Sequence, residues 1–225
     1  MNLLVTGALG HIGSGLIERL SKIKSLKNVY LLDSTRSNNL NVLFNLKLKN
    51  INCHFLLKDL RNKNLIKLID KKIDVVIHLA SITNAEESLK NKKIIFENNF
   101  GIFKNIVNFC KKNKSKLIHL SSTSVYGGSD KIVDENFKNL DPRSPYAEVK
   151  LMEENYLKNL RNIKYITLRL GTISGISKGM RFHTAVNKFC LKTILREEIP
   201  VWTNALNQYR PYLSLNDALN TIISL

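Results

Sequence analysis

No stretch of this sequence approaches the roughly 18 consecutive apolar residues that a membrane-crossing helix requires. The first residues are apolar, but no basic segment accompanies them and glycines interrupt them, which suits a turn better than a secretory leader. Cysteine is scarce. Cys53, Cys110 and Cys190 are the only three, and their wide separation matches neither metal-ligand nor disulfide spacing. They read as small buried apolar residues in a reducing cytoplasm. Internal repeats, low-complexity segments and linkers are lacking as well. Acidic residues are few: 18 Asp and Glu against 35 Lys and Arg leave a formal charge of +17. Such an excess can mark a nucleic-acid surface. The lysines are scattered, however, as in Lys71-Lys72, Lys92-Lys93 and Lys111-Lys112-Asn113-Lys114. Several close a predicted helix, where cations complement the dipole, and no basic segment is interleaved with aromatics in a stacking pattern. A solvated basic surface that helps attract an anionic substrate is the simpler reading, and no nucleic-acid or membrane partner is expected.

What the chain has is apolar material: 44% of its 225 residues are hydrophobic, enough for one large domain, or a domain with a small appendage. Asn2 to Val5 read as a short buried strand. Gly7, Gly10 and Gly13 follow at once within Val5-Thr6-Gly7-Ala8-Leu9-Gly10-His11-Ile12-Gly13, and Ile12, Leu16, Ile17 and Leu20 then recur at helical spacing. This is a strand, a tight turn and a helix start. Gly7 serves the turn's backbone angles, Gly10 lets a pyrophosphate approach the main chain, and Gly13 lets helix and strand pack closely. Free N–H groups and the helix dipole then face the phosphates.

Val29 to Leu32 form a second apolar run ending at Asp33, the pattern of a buried parallel strand. Asp33 is placed to accept hydrogen bonds from a ribose diol. Its charge would repel a 2′-phosphate, which favours NAD over NADP, although Arg36 lies three residues on. Leu40 to Leu48 look helical, Ile51 to Leu57 a third strand, Leu65 to Ile69 helical and Asp74 to Ala80 a fourth strand. Glu97 to Lys112 read as a long helix with Phe100, Phe103, Ile106, Val107 and Cys110 on one face, and Lys116 to Ser121 as a fifth strand. This alternation predicts a doubly wound parallel α/β sheet of Rossmann type. Ser121-Ser122-Thr123-Ser124-Val125-Tyr126-Gly127 ends the fifth strand, where such folds bind ligands. After a loop from Gly128 to Asp141, Ser144-Pro145 opens a helix. On it Tyr146 and Lys150, four apart, share a face.

With these residues the sequence resembles an extended short-chain dehydrogenase/reductase of the NAD-dependent epimerase/dehydratase family, which acts on nucleotide sugars. Residues 6–13 are similar to the family's cofactor turn, including His11 and Ile12. Asp59-Leu60 resembles its adenine contact, His78-Leu79-Ala80-Ser81 its fourth-strand motif, and Asn98 its helix asparagine. Ser122, Tyr146 and Lys150 match its catalytic positions. Leu168-Arg169-Leu170 resembles the sixth strand, and Tyr209-Arg210-Pro211-Tyr212 the segment carrying an arginine to the substrate diphosphate.

The resemblance implies NAD as cofactor, a nucleotide-sugar substrate contacted by Thr123, Thr172, Asn187 and Arg210, no metal, a homodimer and a cytoplasmic location. It implies an NAD-binding domain over 1–170 and a partial substrate lobe over 171–225, interleaved with the end of the NAD-binding domain and truncated where family members continue. The dehydratases of the family carry an Asp-Glu pair where this chain has Thr123 and Ser124, which points away from 4,6-dehydration. Gly171-Thr172 replaces the usual Phe-Asn. The expected activity is therefore nucleotide-sugar epimerisation or ketoreduction. The alternatives are dehydrogenation of another alcohol, or an NAD-sensing or RNA-binding role without turnover. Chemically, a free phenol with a pKa near 10 needs help from a cation, and each unit by which it falls corresponds to about 1.4 kcal/mol. Lys150 supplies that cation, with the positive nicotinamide ring, so that Tyr146 can take a proton as hydride leaves. Ser122 holds the same oxygen.

Overall fold

The computed structural model describes residues 1–36, 38–44, 46, 48–62, 69–83, 91–128, 132–201, 203, 206 and 209–225. Six strands, β1 (Asn2–Thr6), β2 (Asn28–Asp33), β3 (Asn52–Leu57), β4 (Val75–His78), β5 (Lys116–Ser122) and β6 (Lys164–Leu170), form one sheet in the order β3-β2-β1-β4-β5-β6. Every neighbouring pair is parallel. The chain builds outward from β1 to β3 and then returns to place β4 on the other side of β1. The direction of winding reverses there, and a crevice opens at the carboxyl ends of β1 and β4.

Side-chain alternation along the strands divides the core in two. Leu3 and Val5 of β1, Val29 and Leu31 of β2, and Ile118 and Leu120 of β5 pack on one face with Leu16 and Leu20. Leu4, Tyr30, Leu32 and Leu117 pack on the other. The first face is covered by α1 (His11–Ile17) and by α6 (Leu215–Ser224), which delivers Leu215, Leu219 and Ile222. The second is covered by α3 (Gly101–Asn113) and α4 (Pro145–Lys158), through Phe103, Ile106, Val107, Cys110 and Leu157. Both faces are buried, which is why the strands read as near-continuous apolar runs. A second, two-stranded parallel sheet pairs β7 (Thr172–Ser174) with β8 (Tyr212–Ser214), and α5 (Ala185–Ile194) lies between them in sequence.

The expected long helix is longer and less regular than its sequence suggests. It begins as α2 (Lys92–Ile95), passes through a π turn at Phe96–Phe100 and continues as α3. The π turn buries two successive asparagines, Asn98 and Asn99. Asn99 clasps the backbone of Ile82, accepting from its N–H at 2.9 Å and donating to its carbonyl at 2.9 Å. That clasp fixes the segment leaving β4. Of the helix expected over Leu40–Leu48, the described residues form a 3-10 turn at Leu40–Leu43 that ends at an extended Phe44; residues 45 and 47 lie outside the described ones. Val42 is buried and Leu43, Leu46 and Leu48 pack partly against the core, but Leu40 and Phe44, one turn apart, are exposed. Of the helix expected at Leu65–Ile69, residues 65–68 lie outside the described ones. Cys110 is buried as expected, and burial pushes its thiol up to about 12. Cys53 and Cys190 are exposed, because β3 is the edge of the sheet and the outer face of α5 is uncovered. Among the described residues no helix is long and apolar enough to cross a membrane.

The turn after β1 sets the tightest packing. Gly7 has φ +69°, and a Cβ there would lie 2.6 Å from the Ala80 nitrogen. Gly7→Ala should therefore cost more than about 2 kcal/mol, from the left-handed backbone and the clash together, read as a lower urea midpoint than wild type.

Candidate active site

The crevice between β1 and β4 opens into two adjoining cavities. The larger, of about 790 Å³, is lined by Gly7, Gly10, Asp33, Arg36, Asp59, Leu60, Leu79, Ala80, Ser81 and Asn98, among others. The smaller, of about 210 Å³, is lined by Gly7, Gly10, His11, Ile12, Gly13, Ser122, Tyr146, Lys150 and Thr172, among others. Gly7, Gly10, Leu79, Ser81, Thr83, Arg181 and His183 border both. The structure thus gathers all the residues singled out for a cofactor, and the Ser-Tyr-Lys set, along one continuous channel.

Each of these side chains is held from below. Asp33, at the end of β2, accepts from the Leu9 N–H at 2.9 Å and from the Thr35 N–H at 2.9 Å, which locks its carboxylate at the far end of the channel. Asp59 is paired with Arg61, and that contact holds its carboxyl below the usual range. The glycine turn is itself strapped down by the chain after β7. His11 Nε2 meets the Gly175 carbonyl at 2.8 Å, Ser177 donates to the His11 carbonyl at 2.9 Å, and the Gly179 N–H donates to Ser14 Oγ at 2.9 Å. The same strap carries Arg181 into the channel, where it donates to Thr83. Burial lowers the Arg181 guanidinium from its ordinary value. Among the described residues it has no carboxylate partner within 4.0 Å.

The channel fits an extended dinucleotide. It offers a fixed carboxylate for one ribose, a turn with no side chains where a pyrophosphate would lie, and an ammonium and hydroxyls at the opposite end. Gly10 shows the fit, since a Cβ there would sit 3.2 Å from the Gly7 carbonyl and 3.7 Å from the Arg181 guanidinium, inside the channel.

At that opposite end, Ser122 closes β5. Its Oγ accepts from the Ser124 N–H at 3.2 Å and from the Ser124 hydroxyl at 2.9 Å, starting a 3-10 turn over Thr123–Tyr126. Ser144 caps α4 by accepting from the Ala147 N–H at 3.2 Å, and Pro145 occupies the first turn, so Tyr146 emerges at the helix start, directed at the cavity. Lys150 Nζ lies 5.9 Å from the Tyr146 ring centre. Burial raises the Tyr146 phenol above its ordinary value; Lys150, Arg181 and a hydrogen bond with Ser122 oppose the rise without cancelling it. Chemically, this end can hold an oxygen between two hydroxyls and exchange its proton with a phenol beside a cation.

Of the residues expected to meet substrate, Thr172 lines the smaller cavity. Asn187 is buried as a brace: its Oδ1 accepts from the Gly175 N–H at 3.3 Å and its Nδ2 donates to the Arg181 carbonyl at 2.9 Å. Thr123 and Arg210 are not among the residues lining the two cavities. Several site residues were missed in the sequence. Glu153, three residues after Lys150, was legible from helical spacing. Arg181 lies in irregular chain, where no periodicity points to it. Arg169 was noted only as part of a strand. It forms a forked pair with Glu154, Nε to Oε1 at 2.9 Å and Nη2 to Oε2 at 2.6 Å, while Ser121 donates to Glu154 at 2.6 Å. That pair ties α4 to β5 and β6.

Burial pushes the Glu154 carboxyl up, but Arg169 and Ser121 outweigh it and hold it below the usual range. A depressed folded-state pKa adds stability above the unfolded value of about 4.3 and loses it as pH falls through the folded value. Glu154→Gln should destabilise by about 3 kcal/mol at pH 7 and flatten the fall in urea midpoint between about pH 5 and pH 3.

Known proteins share this architecture. The sequence model of the NAD dependent epimerase/dehydratase family matches residues 3–225. A putative UDP-glucose 4-epimerase of Methanocaldococcus jannaschii is 30% identical over 96% of this chain and 70% of its own length. The UDP-glucuronic acid 4-epimerase of Bacillus cereus, solved with UDP-glucuronic acid and NAD, is 28% identical with a TM-score of 0.86, covering all of this chain and 72% of that one. A dTDP-glucose 4,6-dehydratase of Streptomyces venezuelae superimposes with a TM-score of 0.87 over 99% of this chain and 71% of its own, at 20% identity, a likeness of fold alone.

Proposed function

Because the chain belongs to the NAD dependent epimerase/dehydratase family, we propose that it is an NAD-dependent nucleotide-sugar epimerase or ketoreductase working through Ser122, Tyr146 and Lys150. One observation carries the reading: these three side chains line a single cavity that shares Gly7 and Gly10 with the cleft suited to the dinucleotide. A module that only bound the dinucleotide would have no use for that convergence.

Gly7, Gly10 and Gly13 would hold the cofactor's pyrophosphate, with Asp33 on the adenosine ribose. Asp59, Leu60, Leu79, Ala80, Ser81 and Asn98 would line the adenine half, and Lys150 would meet the second ribose. NAD when bound accepts hydride and returns it. The chain's own residues do the rest. Ser122 donates a hydrogen bond to the sugar oxygen and fixes its position. Tyr146, as phenolate, takes that oxygen's proton and gives it back when the carbonyl is reduced. Lys150 lowers the cost of the phenolate by its charge. We take residues 171–225 as a partial substrate lobe interleaved with the end of the NAD-binding domain, to which α6 belongs, with Thr172 in contact with the sugar, Asn187 shaping that wall and Thr123 and Arg210 joining it at its rim. We also take α3 and α4 as the faces of a homodimer, which a dimer mass in light scattering at micromolar concentration would support and a monomer mass would exclude.

Tyr146→Phe removes the proton carrier and keeps the ring. Turnover of a UDP-hexose should fall by about two to four decades, or roughly 3–5 kcal/mol in the barrier, with NAD affinity nearly unchanged by calorimetry. Wild-type turnover in that variant would refute the mechanism.

The reaction is epimerisation or reduction and not 4,6-dehydration. Dehydration needs a base for the C5 proton and an acid for the departing hydroxyl. The positions after Ser122 hold Thr123 and Ser124, and Ser124 spends its hydroxyl on Ser122. Incubation with dTDP-glucose or UDP-glucose should yield no 4-keto-6-deoxy sugar; its formation would overturn this part of the reading.

A further inference from the structure

Lys150 does not face the cavity alone. Behind it, one turn along α4, Glu153 is almost wholly enclosed, its side chain 1% exposed. The Lys150 ammonium donates to Glu153 Oε2 at 2.8 Å. The same oxygen meets His119 Nε2 on β5 at 2.9 Å, and the other ring nitrogen of His119 lies 3.3 Å from Thr167 Oγ1 on β6. The His119 ring packs against Phe103 at 4.9 Å between centres. Of this assembly only Lys150 lines the cavity; Glu153, His119 and Thr167 lie behind it, and a helix buried against a sheet has no need of a carboxylate there. Buried ion pairs are weak sources of stability and are readily replaced by apolar groups.

We propose that Glu153 is a positioning residue of the site: with His119 it forms a buried counter-charge that anchors Lys150 and weakens the ammonium's pull on the Tyr146 phenol in the free protein. This rests on the reading of Tyr146 as the proton carrier. The reasoning is electrostatic. A lone ammonium beside Tyr146 would draw the phenol toward phenolate. Glu153 shares that ammonium, so much of its field at Tyr146 is cancelled. The charges acting on the phenol are those of Lys150 and Glu153 on its own helix and Arg181 from the strap; Glu154, paired with Arg169 of β6, acts on Lys150. His119 on β5 and His78 on β4 face the same cluster, and burial lowers the pKa of both rings, that of His78 to about 3. Lys150 remains charged, since Glu153, Tyr146 and Glu154 together offset the cost of its burial, and Glu153 remains charged through Lys150 and His119. Glu153 thus takes part of the ammonium's pull away from the phenol, and the positive nicotinamide ring, when bound, would restore it.

The test titrates Tyr146 itself. Phenolate absorbance in the near ultraviolet is followed with pH on the full chain without cofactor, and the Tyr146→Phe protein is subtracted so that the rest of the seven tyrosines cancel. Tyr146 and Lys150 titrate as a coupled pair, so the onset of the phenolate signal is the quantity read. Glu153→Gln keeps the shape and removes the charge. It should move that onset down by about one pH unit, and Glu153→Asp should return it toward wild type. In assays with UDP-hexose and NAD, the acid limb of kcat/KM should move down by a similar amount, whereas a merely structural role would lower activity equally at every pH. An unchanged onset in Glu153→Gln overturns the proposal. If Glu153→Gln fails to fold, Glu153→Met with His119→Leu replaces the polar pair by apolar side chains and must give the same downward shift. A wild-type protein that converts no UDP-hexose defeats the reading of function separately, because the phenol titration needs no turnover.

Discussion

Between β1 and β4 the backbone at Gly7 runs so close to Leu79 and Ala80 that any side chain at position 7 would overlap the main chain. The parallel register that aligns Thr6 with His78 holds the two strand ends at this separation, and the Thr6 hydroxyl meets His78 Nδ1 at 2.7 Å across it. The channel exists because this approach is possible. Its floor is the turn after β1, its wall the segment after β4, and both would move apart if Gly7 carried a Cβ. Asn99 then pins the wall through Ile82, and the 175–181 strap pins the floor through His11 and Ser14. A dinucleotide site needs such support because it offers mostly backbone, and backbone is precise only when its neighbours cannot shift.

The chemical end of the channel is organised by charge. The helix α4 presents Tyr146 and Lys150 to the channel and, one turn later, buries Glu153 and Glu154 side by side. The two carboxylates have separate partners. Glu154 takes Arg169 and Ser121 and acts as a bolt between α4, β5 and β6. Glu153 takes Lys150 and His119. Removing one partner of either pair would strand a charge in a low-dielectric interior, so neither is a neutral surface choice. Their pairing makes the position of α4, and hence of Tyr146 and Lys150, a consequence of electrostatics as well as of apolar packing through Leu157.

Resemblance to the Bacillus cereus epimerase and its relatives covers the whole of this chain and about 70% of theirs. The shared part contains the dinucleotide channel and the Ser-Tyr-Lys end. The same fold carries neighbours of different activity, the Streptomyces venezuelae dehydratase among them, so the sheet by itself does not choose the substrate.

The sequence by itself determined the sheet, the glycine turn and the sharing of one helix face by Tyr146 and Lys150. Two-sided burial makes parallel strands apolar along their length, the turn demands glycine, and a Tyr-Lys pair four apart must share a helix face. These are local rules, and local rules leave a trace in order and spacing. Only the tertiary structure decided the rest. Among the described residues, the helix expected over Leu40–Leu48 gave way to a 3-10 turn that ends at an extended Phe44, with Leu40 and Phe44 left exposed. Cys53 and Cys190 came out exposed because edge position is a property of the whole sheet. Asn187 became a brace between Gly175 and Arg181, and Arg181 entered the channel on a strap held by His11 and Ser14, 164 to 166 positions away. Glu153 found His119 across 34 residues of sequence. Pairings of this kind depend on which segments the fold brings together, and no periodicity in the chain records them.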